Sequence, residues 1–414
     1  LNEDERTALS ELAVIEGAFS LAMAEAAVGA RTRQILDDLV SRSLLVHEPE
    51  GEESWYRILE TIRAFALEMG EDPEQAQRAW ERVAGQTLDD LEKLPMAPER
   101  IPSLVKRGFP TVRRALEWHM EQAKSPVRLF GLTGHLWWLE DIGHQAEGAE
   151  ILKRALDRWP EPNSDSAIAY GVLAGFQRFA GDLEGALRSA RIAIQASDGV
   201  GAAFGHRVLG QADRRAGDWD AALEHFRLGT EAAKAGGAEG FATEIEIHAA
   251  MTLARSGDIA ASNELIAGIT DRAKPYPVLR AWARLFQSWI AFADDRARSR
   301  EIAEEVLRES RSDSADPWVT AVAHQHLGIA DLLDGDVEAG KDHLRLSLLG
   351  FLDIANRSDI ALTLLAVAAM LNRDGNRDAA RGVLASALAW GTRATLGGFE
   401  ETMYDEIGPL PDEP

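Results

Sequence analysis

The chain has 414 residues, of which 46% are hydrophobic and 27% charged, enough for two or three domains with sizeable cores. Its 44 basic and 68 acidic residues give a net charge of −24, which would repel nucleic acid and anionic membranes. The absence of cysteine excludes disulfides, thiolate zinc sites and cysteine nucleophiles, and no apolar run is long enough to span a bilayer.

The start of the chain carries no targeting pattern. Leu1 leads into a polar stretch, without the basic and then apolar order of a signal peptide. We therefore expect a cytoplasmic protein. Because the first residue is not Met, we also expect a fragment of a longer protein.

Residues 1–72 predict a winged-helix-like domain. The stretches "LSELAVIEGAFSLAMAEAAV" and "TRQILDDLVSR" predict two or three short helices. A short apolar run at residues 44–46, a turn rich in Glu, Pro and Gly, and a second apolar run at 55–58 predict a hairpin, which a helix follows. Helices followed by one hairpin are typical of a winged helix. The alternative is an irregular helical domain with a surface hairpin.

Residues 73–125 predict a helical connector made of two helices. The first covers "EQAQRAWERVAGQTLDDLEKL" and the second "TVRRALEWHMEQA". Residues 95–110 between them are too rich in proline to continue a helix, so we expect an irregular segment there.

Residues 126–400 predict an α-solenoid, and residues 401–414 a tail. Gly-Asp pairs begin at residues 181, 217, 257 and 335, at steps of 36, 40 and 78 residues, and weaker turns stand at Gly143, Asp294 and Gly375. Each turn separates two helices with apolar periodicity, and a period of this size indicates tetratricopeptide repeats. We therefore predict a mostly α fold in which a winged-helix-like domain precedes a solenoid of tetratricopeptide-like helix pairs.

The repeat assigns small and aromatic residues to the helix crossings. In "HRVLGQADRRAGDWDAALEHF", Gly210 is expected where the paired helices cross, with Ala222 and Phe226 packing back against the first helix. In "HQHLGIADLLDGDVEAGKDHL" the equivalent residues are Gly328, Gly340 and Leu344.

The same stretch comes close to a phosphate-binding loop. From Gly335 it reads G-x-x-x-x-G-K-D, one letter from the motif G-x-x-x-x-G-K-[ST]. A phosphate loop follows a β-strand and needs a hydroxyl for magnesium, whereas here a helix precedes it and Asp342 occupies the hydroxyl position. We interpret Gly335 as the turn between helices and Lys341 as a solvated helix residue.

Other motifs give no catalytic or metal centre. The glycines of "SDGVGAAFG" at 199, 201 and 205 only loosely resemble a dinucleotide fingerprint and predict a loop between repeats. His324 and His326 are two apart, so they cannot share a helix face and are expected to be structural. We expect no enzyme activity, no cofactor and no metal.

Four stretches carry a family resemblance. "YRILETIRAFALE", "TVRRALEWHME", "LWWLEDIGHQAEGAEILKRAL" and "FQRFAGDLEGALRSARIAI" resemble the C-terminal half of bacterial STAND-type signal-transduction ATPases, the large LuxR-type and SARP-type regulators. The resemblance implies a switch in which a tetratricopeptide region receives an inducer or partner, an ATPase domain changes state, and an effector domain acts on transcription. The ATPase domain, which in that family precedes the winged helix, is absent from this chain.

Two departures from the family bear on ligands. The Met-His-Asp triplet, whose His contacts ADP in many relatives, corresponds to Leu59-Glu60-Thr61, and a carboxylate cannot replace an imidazole facing phosphate. The expected recognition helix balances Arg33 and Arg42 with acidic residues at 37 and 38. We therefore expect no direct nucleic-acid binding by this segment and no membrane binding.

Counting back from the turn glycines predicts the partner groove. In tetratricopeptide arrays the first helix of each pair lines the concave face, at positions about thirteen, ten, six and three residues before the turn. Guanidinium forks suit carboxylates and phosphates, so we expect an acidic partner segment or an anionic small-molecule inducer there. Alternatively, the arginines pair with acidic residues of neighbouring repeats. The predicted groove residues are Arg178, Phe204, Arg207, Gln211, Arg214 and Arg284.

The leading functional hypothesis is a non-catalytic sensor and interaction module of a STAND-type transcriptional regulator, whose partner is its own N-terminal ATPase domain in the full-length protein. A free-standing tetratricopeptide scaffold or co-chaperone is the main alternative. A hydrolase whose catalytic domain lies outside the fragment is a third.

Overall fold

The computed structural model is mostly helical and contains one small sheet. It describes residues 1–29, 32–50, 53–70, 72–94, 102–274, 276–292, 295–310, 316–354 and 356–390. The predicted turn at Asp294, the end of the predicted solenoid beyond residue 390 and the predicted tail 401–414 lie outside these ranges. Within them, no helix has the length and apolar character needed to cross a membrane.

The chain divides into two compact units. The first draws on Leu1–Pro95, Ile101–Leu136 and Asp157–Trp159, so the predicted connector 73–125 lies within it. Its elements are α1 (Glu3–Leu12), β1 (Ala18–Ser20), α2 (Leu21–Val28), α3 (Thr32–Ser41), β2 (Leu45–Glu50), β3 (Glu53–Ile58), α4 (Glu60–Met69), α5 (Pro73–Glu92), α6 (Ser103–Gln122) and α7 (Val127–Thr133).

The first four helices and the sheet lie in the region 1–72, which was predicted to be a winged-helix-like domain. The sheet is antiparallel with order β1-β3-β2, and β2 and β3 are the predicted hairpin, with Leu45 opposite Ile58. Strand β1 was not predicted, because three residues show no alternation and the strand exists only through its pairing of Phe19 with Tyr56. Phe19 and Trp55 are buried in the core of this domain.

The proline-rich segment is more helical than predicted. Helix α6 begins at Ser103 and continues through Pro110, although a proline inside a helix removes one backbone hydrogen bond. Tertiary contacts compensate: a Cβ at Gly17 would lie 3.3 Å from the Pro110 ring, and the Thr111 hydroxyl donates to the Glu16 carbonyl at 2.8 Å. The prediction that the helix starts only at Thr111 is therefore wrong.

The second unit contains Trp137–Leu156 and the chain from Pro160 onward. A 3₁₀ helix (Gly134–Trp138) leads into it. The helices that follow are α8 (Leu139–Ile142), α9 (Gln145–Arg158), α10 (Ser166–Phe179), α11 (Leu183–Ala196), α12 (Val200–Ala216), α13 (Trp219–Ala235), α14 (Glu239–Ser256), α15 (Ile259–Arg272), α16 (Pro277–Phe292), α17 (Arg296–Glu309), α18 (Pro317–Asp334), α19 (Val337–Asp353), α20 (Arg357–Arg373) and α21 (Arg377–Trp390).

From α10 onward the helices form the predicted tetratricopeptide-like pairs. At each Gly-Asp turn the glycine is left-handed, with φ of 80° at Gly217, and ends the first helix. The following aspartate begins the second helix, since Asp218 Oδ1 accepts from the Ala221 N–H at 3.2 Å. The same cap recurs at Asp182, Asp258 and Asp336.

The small residues predicted at the helix crossings lie there. A Cβ at Gly210 would lie 2.7 Å from the Phe226 ring, and one at Gly340 would lie 2.7 Å from the Leu332 side chain. Helix α18 precedes Gly335, and exposed Lys341 pairs with Glu338 at 3.1 Å. The phosphate-loop resemblance is therefore a helix turn, as predicted.

The glycines after residue 198 are helical, contrary to the predicted loop. Helix α12 begins at Val200, so Gly201 and Gly205 lie inside it. A Cβ at Gly201 would lie 2.6 Å from Ala167 Cβ, and one at Gly205 would lie 2.6 Å from the Ala190 carbonyl oxygen. These glycines allow close helix packing, a requirement that the local sequence does not reveal.

The start of the solenoid contacts a much later repeat. Gln145 Nε2 donates to the Glu140 carbonyl at 2.8 Å and to the Ile354 carbonyl at 3.4 Å, across 209 residues. Gly143 has a φ of 83°, and a Cβ there would lie 3.0 Å from the Ile354 carbonyl carbon. The solenoid therefore curves tightly enough for α8 to meet the end of α19.

Replacing two glycines by alanine should shift stability in opposite directions. Gly217→Ala should cost about 1–2 kcal/mol, because its left-handed φ of 80° strains any Cβ. Gly382→Ala should stabilise by up to about 1 kcal/mol, because Gly382 lies inside α21, where alanine is the better helix former. No described atom outside the local backbone lies within 4 Å of either added Cβ. Urea midpoints followed by circular dichroism measure both shifts, and shifts of the same sign would contradict this account of the turn.

Candidate functional site

Arg207 on α12 is the centre of the predicted groove, and it is buried between two carboxylates. Its Nη2 donates to Glu140 Oε1 at 2.7 Å and its Nη1 to Glu244 Oε1 at 3.3 Å. All three side chains are at most 5% exposed. Burial opposes the charged form of Arg207, but the two carboxylates outweigh it and raise its pKa above the usual value.

The carboxylate of Glu140 comes from α8, which precedes the helix pairs. The indole of Trp137, just before α8, lies 5.7 Å from the Phe241 ring and 6.4 Å from the Phe204 ring. Phe204, a predicted groove residue, is fully buried in this aromatic cluster. The face of α12 that was predicted to meet an acidic partner is therefore covered in part by the chain itself.

Gly175 on α10 provides the space for this ion pair. A Cβ at this position would lie 2.1 Å from Glu140 Oε1 and 3.1 Å from Arg207 Nη2. Gly175 is six residues before its turn glycine, one of the positions that counting back selects. Counting back from the turn glycines therefore selects positions that face the ion pairs of Arg207, including positions occupied by glycine.

Gln211 and Arg214 extend the cluster along α12 toward α14. Gln211 Nε2 lies 2.9 Å from His248 Nε2, which is also 3.0 Å from Glu244 Oε1. Arg214 Nη1 donates to the His248 carbonyl at 3.4 Å. Burial lowers the pKa of His248 to about 4, so the ring is neutral at pH 7.

Arg178 at the end of α10 is less well compensated than Arg207. Its nearest carboxylate oxygen, from Glu140, is 4.0 Å away, and its guanidinium stacks 4.1 Å from the Phe179 ring. Its Nε is buried and makes no hydrogen bond with the described residues. Burial, together with the nearby Arg215 and Arg207, lowers the pKa of Arg178 to about 10, although Glu140 and Glu244 oppose the shift.

Arg284 is not part of the cluster. It lies on α16 and pairs with Glu305 and with Glu309 of α17, the latter at 2.7 Å. Arg207 follows the alternative prediction, in which arginines pair with acidic residues of neighbouring repeats, because Glu244 lies in the next helix pair. Arg284 instead pairs within its own helix pair.

Sequence reasoning missed Glu140, Glu244 and His248. Glu244 is thirteen residues before Gly257, so the same counting, applied to that turn, would have found it. His248 follows Glu244 by four residues, a spacing that places both on one helix face. Glu140 carried no such signal, because its position depends on how α8 packs against α12.

His326 is structural, as predicted. The ring is buried, lies 4.8 Å from the Trp289 ring, and its Nδ1 is 3.2 Å from the Ser288 hydroxyl. Burial alone lowers the pKa of His326 to about 3.

In the first unit, Glu60 occupies the predicted position at the start of α4. Its carboxylate is exposed and accepts two hydrogen bonds from Arg63 Nε, at 3.2 and 3.0 Å. Glu60 is therefore engaged by a neighbouring cation, and a carboxylate at this position would repel a nucleotide phosphate.

No protein-family model matches the chain, and a search of curated proteins finds no match. Among solved structures, the chain is similar to a signal transduction ATPase with numerous domains (STAND) protein with a tetratricopeptide repeat sensor from Pyrococcus horikoshii, at a TM-score of 0.52 and 14% identity. The alignment covers 98% of this chain and 63% of that chain, so this chain spans less than two thirds of that protein. The APC/C hetero-tetramer Cut9–Hcn1 aligns with a TM-score of 0.40 at 13% identity, over 93% of this chain and 71% of that chain, and is too distant to add to the argument.

At 14% identity the first similarity shows the fold alone. That fold is a tetratricopeptide-type helical solenoid.

Removing the charge of Arg207 should destabilise the solenoid strongly. Arg207→Met leaves two buried carboxylates without their partner, which costs about 3–5 kcal/mol. Adding Glu140→Gln and Glu244→Gln to this variant should recover most of the loss, because the buried charges disappear together. Denaturant titration measures the free energy of unfolding. Exposed Arg227→Met is the control and should leave it unchanged. A triple variant no more stable than Arg207→Met would contradict the charge explanation.

Acid should destabilise the protein partly through His326. The folded state keeps this ring neutral down to about pH 3, whereas the unfolded chain takes up a proton below about pH 6.5. Stability is therefore lost as the pH falls from about 6.5 toward 3, and His326→Gln should make that loss smaller. Unfolding free energies at pH 7, 6, 5 and 4 test this, with exposed His47→Gln as the control. Equal pH slopes for both variants and the wild type would contradict it.

Proposed function

We propose that this chain is the non-catalytic sensor and interaction module of a STAND-type transcriptional regulator of the LuxR or SARP kind. Its solenoid receives an inducer or partner and controls an ATPase domain outside this chain. One observation supports the proposal: 98% of this chain aligns with a STAND protein that has a tetratricopeptide sensor.

The first unit supports a role other than reading DNA. Arg33 on α3 lies 3.7 Å from Glu25, and Arg42, just after α3, lies 3.2 Å from Glu5. Both arginines of the expected recognition helix are therefore offset by a nearby carboxylate, and we assign DNA binding to an effector domain outside this chain.

The chemistry around Arg178 favours an anionic inducer or an acidic partner segment. The charged groups acting on Arg178 are Arg207, Arg215, Glu140 and Glu244. Both carboxylates already bind Arg207, and the nearer one, Glu140, is 4.0 Å from Arg178. A carboxylate or phosphate beside Arg178 would give this largely buried guanidinium a close partner.

Arg178 therefore replaces Arg207 as the residue that tests the predicted groove. Thermal denaturation of the chain in low salt, with and without an oligoglutamate peptide or inorganic phosphate, should show a higher Tm with at least one anion. Arg178→Gln should abolish the increase while remaining folded, because it removes an incompletely paired charge.

Arg188→Gln is the matched control, because Arg188 lies on α11 and its side chain is 59% exposed. This variant should respond to the anion like the wild type. A wild type that gains no Tm from either anion, or two variants that respond alike, would contradict an anionic ligand at Arg178.

The reading frame that encodes this chain tests whether the chain belongs to a STAND-type regulator. A reading frame that encodes a phosphate-binding loop upstream of Leu1 supports the proposal. A start codon at that boundary would favour the free-standing scaffold instead.

A further inference from the structure

Two histidines of one helix pair meet across the helix crossing. His206 on α12 and His225 on α13 face each other with Nδ1 atoms 2.9 Å apart, and their ring centroids lie 5.1 Å apart at an angle of 41°. Both side chains are partly accessible to solvent. Two imidazole nitrogens therefore converge at a place that an ion can reach.

The same arrangement recurs three repeats later. His324 on α18 and His343 on α19 have Nδ1 atoms 3.0 Å apart and ring centroids 5.0 Å apart at 49°. In both pairs the first histidine stands eleven residues before the turn glycine and the second stands eight residues after it. The two paired-histidine sites are therefore equivalent positions of the repeat.

The fold does not require histidines at these positions. The equivalent residues are Tyr170 and Ser189 in one described helix pair, and Glu246 and Leu265 in another. The helices also pack with these unlike residues at the equivalent positions. Helix packing therefore does not explain why a histidine pair occurs in two repeats.

We propose that each paired-histidine site binds a divalent copper ion through its two Nδ1 atoms. With metal–nitrogen bonds of about 2.0–2.1 Å, two ligands at a right angle have nitrogens about 2.9 Å apart. Right angles between neighbouring ligands are the geometry of square-planar Cu²⁺, and Cu²⁺ is also the divalent ion that imidazole sites of this kind bind most tightly. Water completes the coordination, since no group of three or more ligating side chains exists among the described residues.

One hydrogen links the two rings of each pair in the absence of metal, because Nδ1 atoms 2.9 or 3.0 Å apart are at hydrogen-bond distance. On binding, the hydrogen that links the two Nδ1 atoms leaves, and the ring that carried it becomes protonated on Nε2 instead.

The first site has an additional carboxylate. His225 Nε2 lies 3.6 Å from Asp213 Oδ2, beyond hydrogen-bond distance, so this carboxylate acts on the ring and on a bound cation through its charge. Glu224 also acts electrostatically on both rings, although its carboxylate is bonded to Arg227. The site of His206 and His225 should therefore bind copper more tightly than the site of His324 and His343.

Titration of the chain with Cu²⁺ alone, against a competing chelator, should give two equivalents with unequal affinities. Electron paramagnetic resonance should show nitrogen coordination in a tetragonal field. His206→Gln should remove the tighter equivalent and His324→Gln the weaker one, and the double variant should remove both. His225→Gln and His343→Gln should repeat these losses from the opposite helix, which separates loss of a ligand from loss of fold.

His47→Gln, in the first unit, is the matched control and should keep both equivalents. A wild type that binds no copper in competition with the chelator would overturn the proposal. Two equivalents that persist in the double variant, with its helical circular dichroism unchanged, would overturn it as well.

Discussion

The buried ion pairs of Arg207 hold together parts of the chain that lie far apart in sequence. Arg207 binds Glu140 from α8 and Glu244 from α14, and both pairs are almost fully removed from water. Burying three charges is favourable only when the geometry and the surrounding groups are right, so every element around them is constrained. Gly175 on α10 must have no side chain, and Trp137 must pack against the rings of α12 and α14.

Because of the ion pairs of Arg207, the arginine-bearing groove of this acidic protein is not simply an exposed basic surface. An exposed row of arginines would attract acidic partners directly, but Arg207 is saturated by the chain's own carboxylates and Arg284 pairs with α17. Arg178 is less closely paired, because Glu140 is 4.0 Å away and already binds Arg207. A ligand that balances Arg178 would contact the same cluster that fixes α8 on the solenoid, so occupancy of the groove and the packing of α8 are physically linked.

Equivalent positions in the repeats of the solenoid carry chemically different side chains. Equivalent positions carry a histidine pair in two repeats and unrelated residues in others, while the turns and the small crossing residues stay the same. Stability in such arrays comes largely from each repeat and its neighbours, which leaves partly exposed positions free to vary. The site of His324 and His343 therefore lies on a different helix pair from the Arg178 region, whereas His206 is next to Arg207 on α12.

The sequence by itself determined the local features: the helix pairs, the left-handed turn glycines with their aspartate caps, the crossing at Gly210, the hairpin and the reading of Gly335 as a turn. These depend on residues a few positions apart, whose spacing is visible in the chain. Only the tertiary structure decided the short strand β1, the helix through Pro110, the helical Gly201 and the partners of Arg207. Each of these depends on a group that is distant in sequence, such as Tyr56, Gly17, Ala167 or Glu140. Counting along helices found the face on which Arg178 and Arg207 lie, but it could not show that both were near Glu140, because that carboxylate comes from outside the repeats.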